Sequence, residues 1–363
     1  MQRRLRTFTP PHCPNPDCNS HDDSGTWRFK KEGFFERARG PRRVQRYVCQ
    51  HCHRNFSSQT FAVDYWLKSP QLLKTVFWGI VNCSGLRQIA RATGVRHATL
   101  QRHVERLGRH CLLFHESLRP PSPEEPVVLD GFRTLESGHY WPFDLQLLVG
   151  VSNYVYGFND AELRRGGSHT PRQLARRLRL ETRFGRPDPQ ATRKAVQELT
   201  TRLIAEGTTI ELHSDAHQAY PRAFARLTNR EIHHHVTSSK APRTPSNPLF
   251  PANLADLLLR HCSANHKRET IAFSKRRQGA LYRAAIWLVW RNYMQPRSER
   301  KQDPPPAVQI GVTSKVLTLE EILRERCFPF RFELGGWLAA CYHARIPTRA
   351  IPNARAHRLS YAV

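Results

Sequence analysis

Two carboxylates in this chain stand where a divalent cation could use them. Val127-Val128-Leu129-Asp130-Gly131 runs three apolar residues of high β propensity into an acid. Thr209-Ile210-Glu211-Leu212-His213-Ser214-Asp215 repeats the phrase far along the chain. A buried strand that ends on an acid holds it at the sheet's edge. Two such acids converge only if a sheet sets their strands side by side, and paired hard oxygen ligands of that kind suit Mg²⁺. Four cysteines offer a different metal chemistry. Four residues separate Cys13 from Cys18, and two separate Cys49 from Cys52. Thiolates at these spacings can close a tetrahedral zinc site and staple a fold too small for a core of its own. The spacing predicts a zinc ribbon with strands over Gly25–Lys30 and Arg43–Val48.

The elements needed to position these groups can be read in order. The ribbon occupies residues 10–60 and carries Lys30, Lys31, Arg37, Arg39, Arg42 and Arg43, cations suited to nucleic-acid phosphates. Residues 66–116 read as helical. Leu86, Ile89 and Ala90 share one helical face, Thr93-Gly94-Val95 makes a turn, and a second helix from Arg96 to Leu107 turns Leu100, Val104 and Leu107 inward. That is a helix-turn-helix layout, in which Arg96, His97, Thr99, Gln101 and Arg102 would face DNA. A plain helical hairpin is the simpler alternative.

A proline-rich linker at 117–126 precedes the Asp130 strand. Strands are expected over Tyr140–Val151, Asn153–Phe158 and Glu231–Val236. An Arg-rich helical insertion is expected over 163–206, helices between Asn247 and Met294, and a basic tail over 301–363 with a helix at Leu317–Leu323. His233, His234 and His235 alternate faces on a strand, so they cannot all bind one metal. Asp144, Asp160 and Glu162 each read as surface or turn carboxylates, with Asp160 and Glu162 the better reserve ligand pair.

The formal net charge is +27 and arginine outnumbers lysine, which favours polyanion binding. No leader-like apolar core follows the basic start, and no apolar run reaches the roughly 20 residues of a membrane helix. A cytoplasmic, nucleoid-associated protein without a membrane partner is expected. In that compartment, paired cysteines favour metal ligation over disulfides.

Zinc ribbon, helix-turn-helix, strand-acid, strand-acid and a basic helical finish, in this order, resemble the insertion-sequence transposases of the DDE type that carry an amino-terminal zinc ribbon. The resemblance runs over roughly residues 10–300 and rests on Leu129-Asp130-Gly131, on His213-Ser214-Asp215 with Ala219-Tyr220 behind it, and on Glu269 through Arg276. It implies a multi-domain α+β chain whose residues 127–300 form a ribonuclease H-like catalytic domain. It also implies Mg²⁺-dependent cleavage and joining of DNA, with element ends and target DNA as partners and a homo-oligomer as the active complex. In such families the first aspartate lies on the first strand, the second ends the fourth, and a glutamate lies on a following helix. Carried over, these are Asp130, Asp215 and Glu269, with Arg276 on the same helical face as Glu269. Were the third acid's place farther along, it would fall on Gln278 or Tyr282 and the copy would be defective. A DNA-binding regulator without catalysis, and a structure-specific nuclease using the same acids, are the rival readings.

Overall fold

The computed structural model describes residues 8–21, 25, 27–36, 43–298, 300–332, 334–352 and 356–357. Thr26 of the expected first ribbon strand, the ribbon cations Arg37, Arg39 and Arg42, and Arg358 of the tail lie outside them. The chain is a mixed α+β structure with a three-stranded and a five-stranded sheet. In the first, β1 (Phe29–Glu36), β2 (Arg43–Cys49) and β3 (Asn55–Ser57) pair antiparallel in chain order. Its small core joins Cys13, Cys18 and Cys49 to Tyr47, Phe56 and Phe61.

Three helices follow: α1 (Leu72–Val81), α2 (Leu86–Thr93) and α3 (His97–Leu118). Gly94 ends α2 at φ +67°, a left-handed backbone that glycine adopts without a Cβ penalty, and this lets α3 start after a short turn. The sequence reading ends α3 at Leu107, yet the helix runs on to Leu118, because Cys111, Leu112, Leu113 and Phe114 continue its buried face.

The larger sheet comprises β4 (Val127–Leu135), β5 (Pro142–Gly150), β6 (Val155–Glu162), β7 (Thr209–Ser214) and β8 (Glu231–Val236), in the order β6-β5-β4-β7-β8. β4 pairs antiparallel with β5 and parallel with β7, and β7 pairs parallel with β8. Between β6 and β7 lie α4 (Pro171–Phe184), which buries none of its residues, and α5 (Ala191–Leu203), whose Val196, Leu199 and Leu203 are buried. The segment read as an insertion is thus half surface arm and half core helix. After β7 comes α6 (Ala219–Phe224). After β8 come α7 (Phe250–Cys262) and α8 (Arg277–Tyr293), the latter buried almost throughout and packed along α3. Gly108 makes that packing possible, since a Cβ there would stand 2.3 Å from Cβ of Tyr282.

Residues read as a basic tail fold back instead. α9 (Pro306–Gln309), α10 (Leu319–Arg324) and α11 (Gly336–Tyr342) bury Ile322, Trp337, Leu338, Cys341 and Tyr342, and Phe328 enters the ribbon core. His110 on α3 bonds the Ile322 carbonyl at 2.8 Å. Apolar residues spread thinly among arginines hide this docking from a sequence reading. Among the described residues no helix is long and apolar enough to cross a membrane.

Candidate functional site

The register of β4 against β7 decides where the two strand-end acids go. The parallel pairs are Val127 with Leu212, Val128 with His213 and Leu129 with Ser214. Asp215 is the residue after β7, and Asp130 is the fourth residue of β4, so the two stand side by side; β4 does not end on its acid as the sequence suggests, because Gly131–Leu135 go on pairing with β5. Asp130 Oδ1 accepts the Gly131 N–H at 2.7 Å, and Asp215 Oδ1 accepts the His217 N–H at 3.0 Å. Each carboxylate is therefore oriented through one oxygen by a nearby backbone amide.

A third carboxylate joins them. Asp256 on α7 lines the same cavity of about 220 Å³, together with Arg133, Arg243 and Arg260. Its Oδ1 is buried without a hydrogen-bond partner, an arrangement that is costly unless a cation completes it. Burial pushes the Asp130 carboxyl up to about 6 despite the Gly131 hydrogen bond, with Asp215 and Asp144 adding to the rise. Burial likewise holds Asp256 well above the usual carboxylate range; Asp130 adds to this, and Arg260 and Arg243 oppose it. The buried Tyr220 hydroxyl is raised by burial and then by Asp130, Asp215, Asp144 and Asp256, all of which surround it. Carboxylate oxygens are the ligand type that hard divalent cations take. Among the described residues, however, only the four cysteines form a group of three or more ligating side chains whose atoms all lie within 4.8 Å of one another.

Glu269 does not line this cavity. It lies exposed in a bend between α7 and α8, so no helix carries it, and Arg276 is the residue that precedes α8. Gln278 and Tyr282 are buried elsewhere, both donating to the Cys341 carbonyl on α11. Asp160 and Glu162 are engaged too: Arg277 reaches Asp160 at 3.3 Å and Glu162 at 2.8 Å, and Trp337 Nε1 donates to Asp160. Asp144 is no surface residue. It is buried and accepts two bonds from Arg133, at 3.0 and 3.1 Å. His233 and His235 donate to Glu211 on one face of β8, while His234 meets Ser214 on the other. Sequence reasoning missed Asp256. The available signal was a carboxylate beside the stripe Ala252, Ala255 and Leu259, where a charge has no reason to sit unless something binds it.

The sulfur atoms of Cys13, Cys18, Cys49 and Cys52 all lie within 4.8 Å of one another, and those of Cys13 and Cys52 are 3.6 Å apart. A tetrahedron of 2.3 Å zinc–sulfur bonds has edges of about 3.8 Å, so four thiolates in this geometry can hold zinc. Burial raises Cys13 and Cys18. Cys49 is brought down to about 7 because hydrogen bonds from the backbone of Cys52 and His51 and from Trp27 Nε1 outweigh its burial. On α3, Arg96, His97 and Arg102 are exposed. Thr99 and Gln101 are half-buried, and Gln101 donates to Glu105.

No protein-family model matches this chain, and no curated protein sequence matches it. Among solved structures it is similar to a chain in the cryoEM structure of the simian T-cell lymphotropic virus intasome in complex with the PP2A regulatory subunit B56 gamma. Identity is 14% and the TM-score is 0.21, covering 50% of this chain and 52% of that chain. The match therefore spans about half of either chain.

Proposed function

We propose that the protein is a DNA phosphoryl-transfer enzyme, a DDE-type transposase whose residues 127–300 form a ribonuclease H-like catalytic domain. The observation that carries the reading is the meeting of Asp130, Asp215 and Asp256, from within β4, just after β7 and on α7, in a single cavity flanked by arginines. Their order along the fold agrees with that of the resembling family: first acid on the first strand of the sheet, second at the end of the fourth, third on a following helix. We assign the third place to Asp256 rather than Glu269. Bound Mg²⁺ would activate the attacking water or 3′-hydroxyl and stabilise the leaving oxygen. The chain's own share is positional. The Gly131 and His217 amides orient Asp130 and Asp215, α7 presents Asp256, and Arg243 and Arg260 face the incoming phosphate. The ribbon and the exposed start of α3 supply DNA binding, through Arg96, His97 and Arg102 with Thr99 and Gln101 beside them.

The test is Mg²⁺- or Mn²⁺-dependent cleavage and strand transfer on the DNA ends that flank the gene, in the native chain and in Asp130→Ala, Asp215→Ala, Asp256→Ala and Glu269→Ala. Activity lost in the first three and kept in the fourth is the expected result. Activity that survives Asp256→Ala but not Glu269→Ala would reverse the assignment, and DNA binding without cleavage in the native chain would leave a regulator.

A further inference from the structure

A second cavity, of about 280 Å³, opens beside the acid-lined one, and Arg133 and Arg260 line both. Its remaining charged lining is Lys267 and Arg268, and no carboxylate faces it. Arg133 is largely neutralised by its two bonds to Asp144. The positive charge therefore comes from Arg260, Lys267 and Arg268, and the last two form no ion pair among the described residues. Arg260 is held for the purpose. Its guanidinium lies 4.4 Å from the centre of the Phe132 ring and donates to the His266 and Arg133 carbonyls at 3.3 and 3.4 Å. The back wall is equally fixed, with His266 fully buried between Thr134 and Asn265 at 3.0 Å each.

We propose that this cavity seats a backbone phosphate of the nucleic-acid strand whose neighbouring phosphodiester enters the acid cluster. The inference rests on the phosphoryl-transfer reading and names where the substrate strand is gripped. Three cations, one of them fixed, with no carboxylate among the described lining residues, select a phosphate; sharing two arginines with the acid-lined cavity makes the two cavities successive stations for one chain of phosphates. An acidic cluster repels a polyanion until cations load it. A basic seat next door would hold the strand in register meanwhile.

The experiment uses the full chain and reads lysine acylation by mass spectrometry, with Lys315, paired to Glu321, as the internal reference. Tetrathymidylate or a short duplex should slow modification of Lys267 at concentrations where inorganic phosphate does not. Arg268→Gln should lower the salt slope of DNA binding by about one while leaving the melting temperature unchanged. Equal modification of Lys267 with and without the oligonucleotide overturns the proposal. Protection by inorganic phosphate as strong as by the strand overturns it as well, since the seat would then serve a free anion. Lys267 protected in a native chain that does not cleave DNA would keep this inference and remove the enzyme reading. Cleavage with Lys267 unprotected would do the reverse. In Asp130→Ala, protection should persist although cleavage is lost.

Discussion

On the proposed reading, the cysteine cluster and the carboxylate cluster gather metal ligands in opposite ways. The cysteines come in two short-range pairs beside a sheet with only a handful of buried residues, so the ligands must help make the fold that presents them. The carboxylates come from β4, the turn after β7, and α7, and a large core gathers them whether or not a cation is present. One site is a condition of its fold. The other is a strain that its fold sustains. Removing metal from the first should collapse structure, and removing acid from the second should cost activity while relieving the protein.

The largest expected effect is on the ribbon. Cys49→Ser, or a strong chelator, should release zinc and unfold residues 10–60, because structural zinc contributes about 10–16 kcal/mol in small fingers. Metal analysis together with limited proteolysis of that segment checks it, and an intact ribbon without zinc would break the contrast. Next is Asp256→Ala, expected to bring metal-dependent DNA cleavage below detection while the melting temperature holds or rises. A fall in both would make Asp256 a structural residue.

The third effect is a pH dependence of the metal-free protein. Asp130 has a folded-state value near 6 against an ordinary 3.8. A raised carboxyl gives stability that is full below the ordinary value and is lost as pH rises through the folded one. Stability should therefore fall as the pH rises from about 4 towards 7. Mg²⁺ at pH 7 should restore part of it, and Asp130→Asn should lessen the fall in thermal melts, leaving the share that Asp256 contributes. A smaller effect, about 1–3 kcal/mol, is expected from Gly108→Ala, whose methyl group would press on Tyr282 and loosen α3 from α8. Denaturant titration measures it. Smallest of all, Glu269→Ala should leave cleavage and stability unchanged, as befits an exposed bend residue.

How much of this could be read from sequence follows the same division. Cysteine spacing is a local code, and so is a hydrophobic run into an acid: Asp215 follows its strand as expected, whereas Asp130 lies within β4, which runs on to Leu135. The proposed third acid depends on tertiary placement. A reading that looked for it among the basic residues after α7 found Glu269, whereas α7 itself held Asp256 against its apolar stripe. The C-terminal residues misled for a related reason. Trp337, Cys341 and Tyr342 form no periodic pattern long enough to stand out, and their burial depends on partners such as Asp160, Gln278 and Tyr282 that lie far away in sequence. Those same contacts consume residues that a sequence reading could set aside as spare ligands.

The length of α3 has one more consequence. His97 and Ala98 at its start are exposed, Leu100, Val104 and Leu107 are already buried, and it has 22 residues, so it extends about 33 Å, close to one turn of B-DNA. A helix anchored in the core along most of its length cannot tilt at its tip without dragging that core along. On the proposed reading α3 is a ruler: the bases read at its tip and the phosphate that is cut keep a constant offset, and a change of register at the tip becomes an equal change in where the strand is broken.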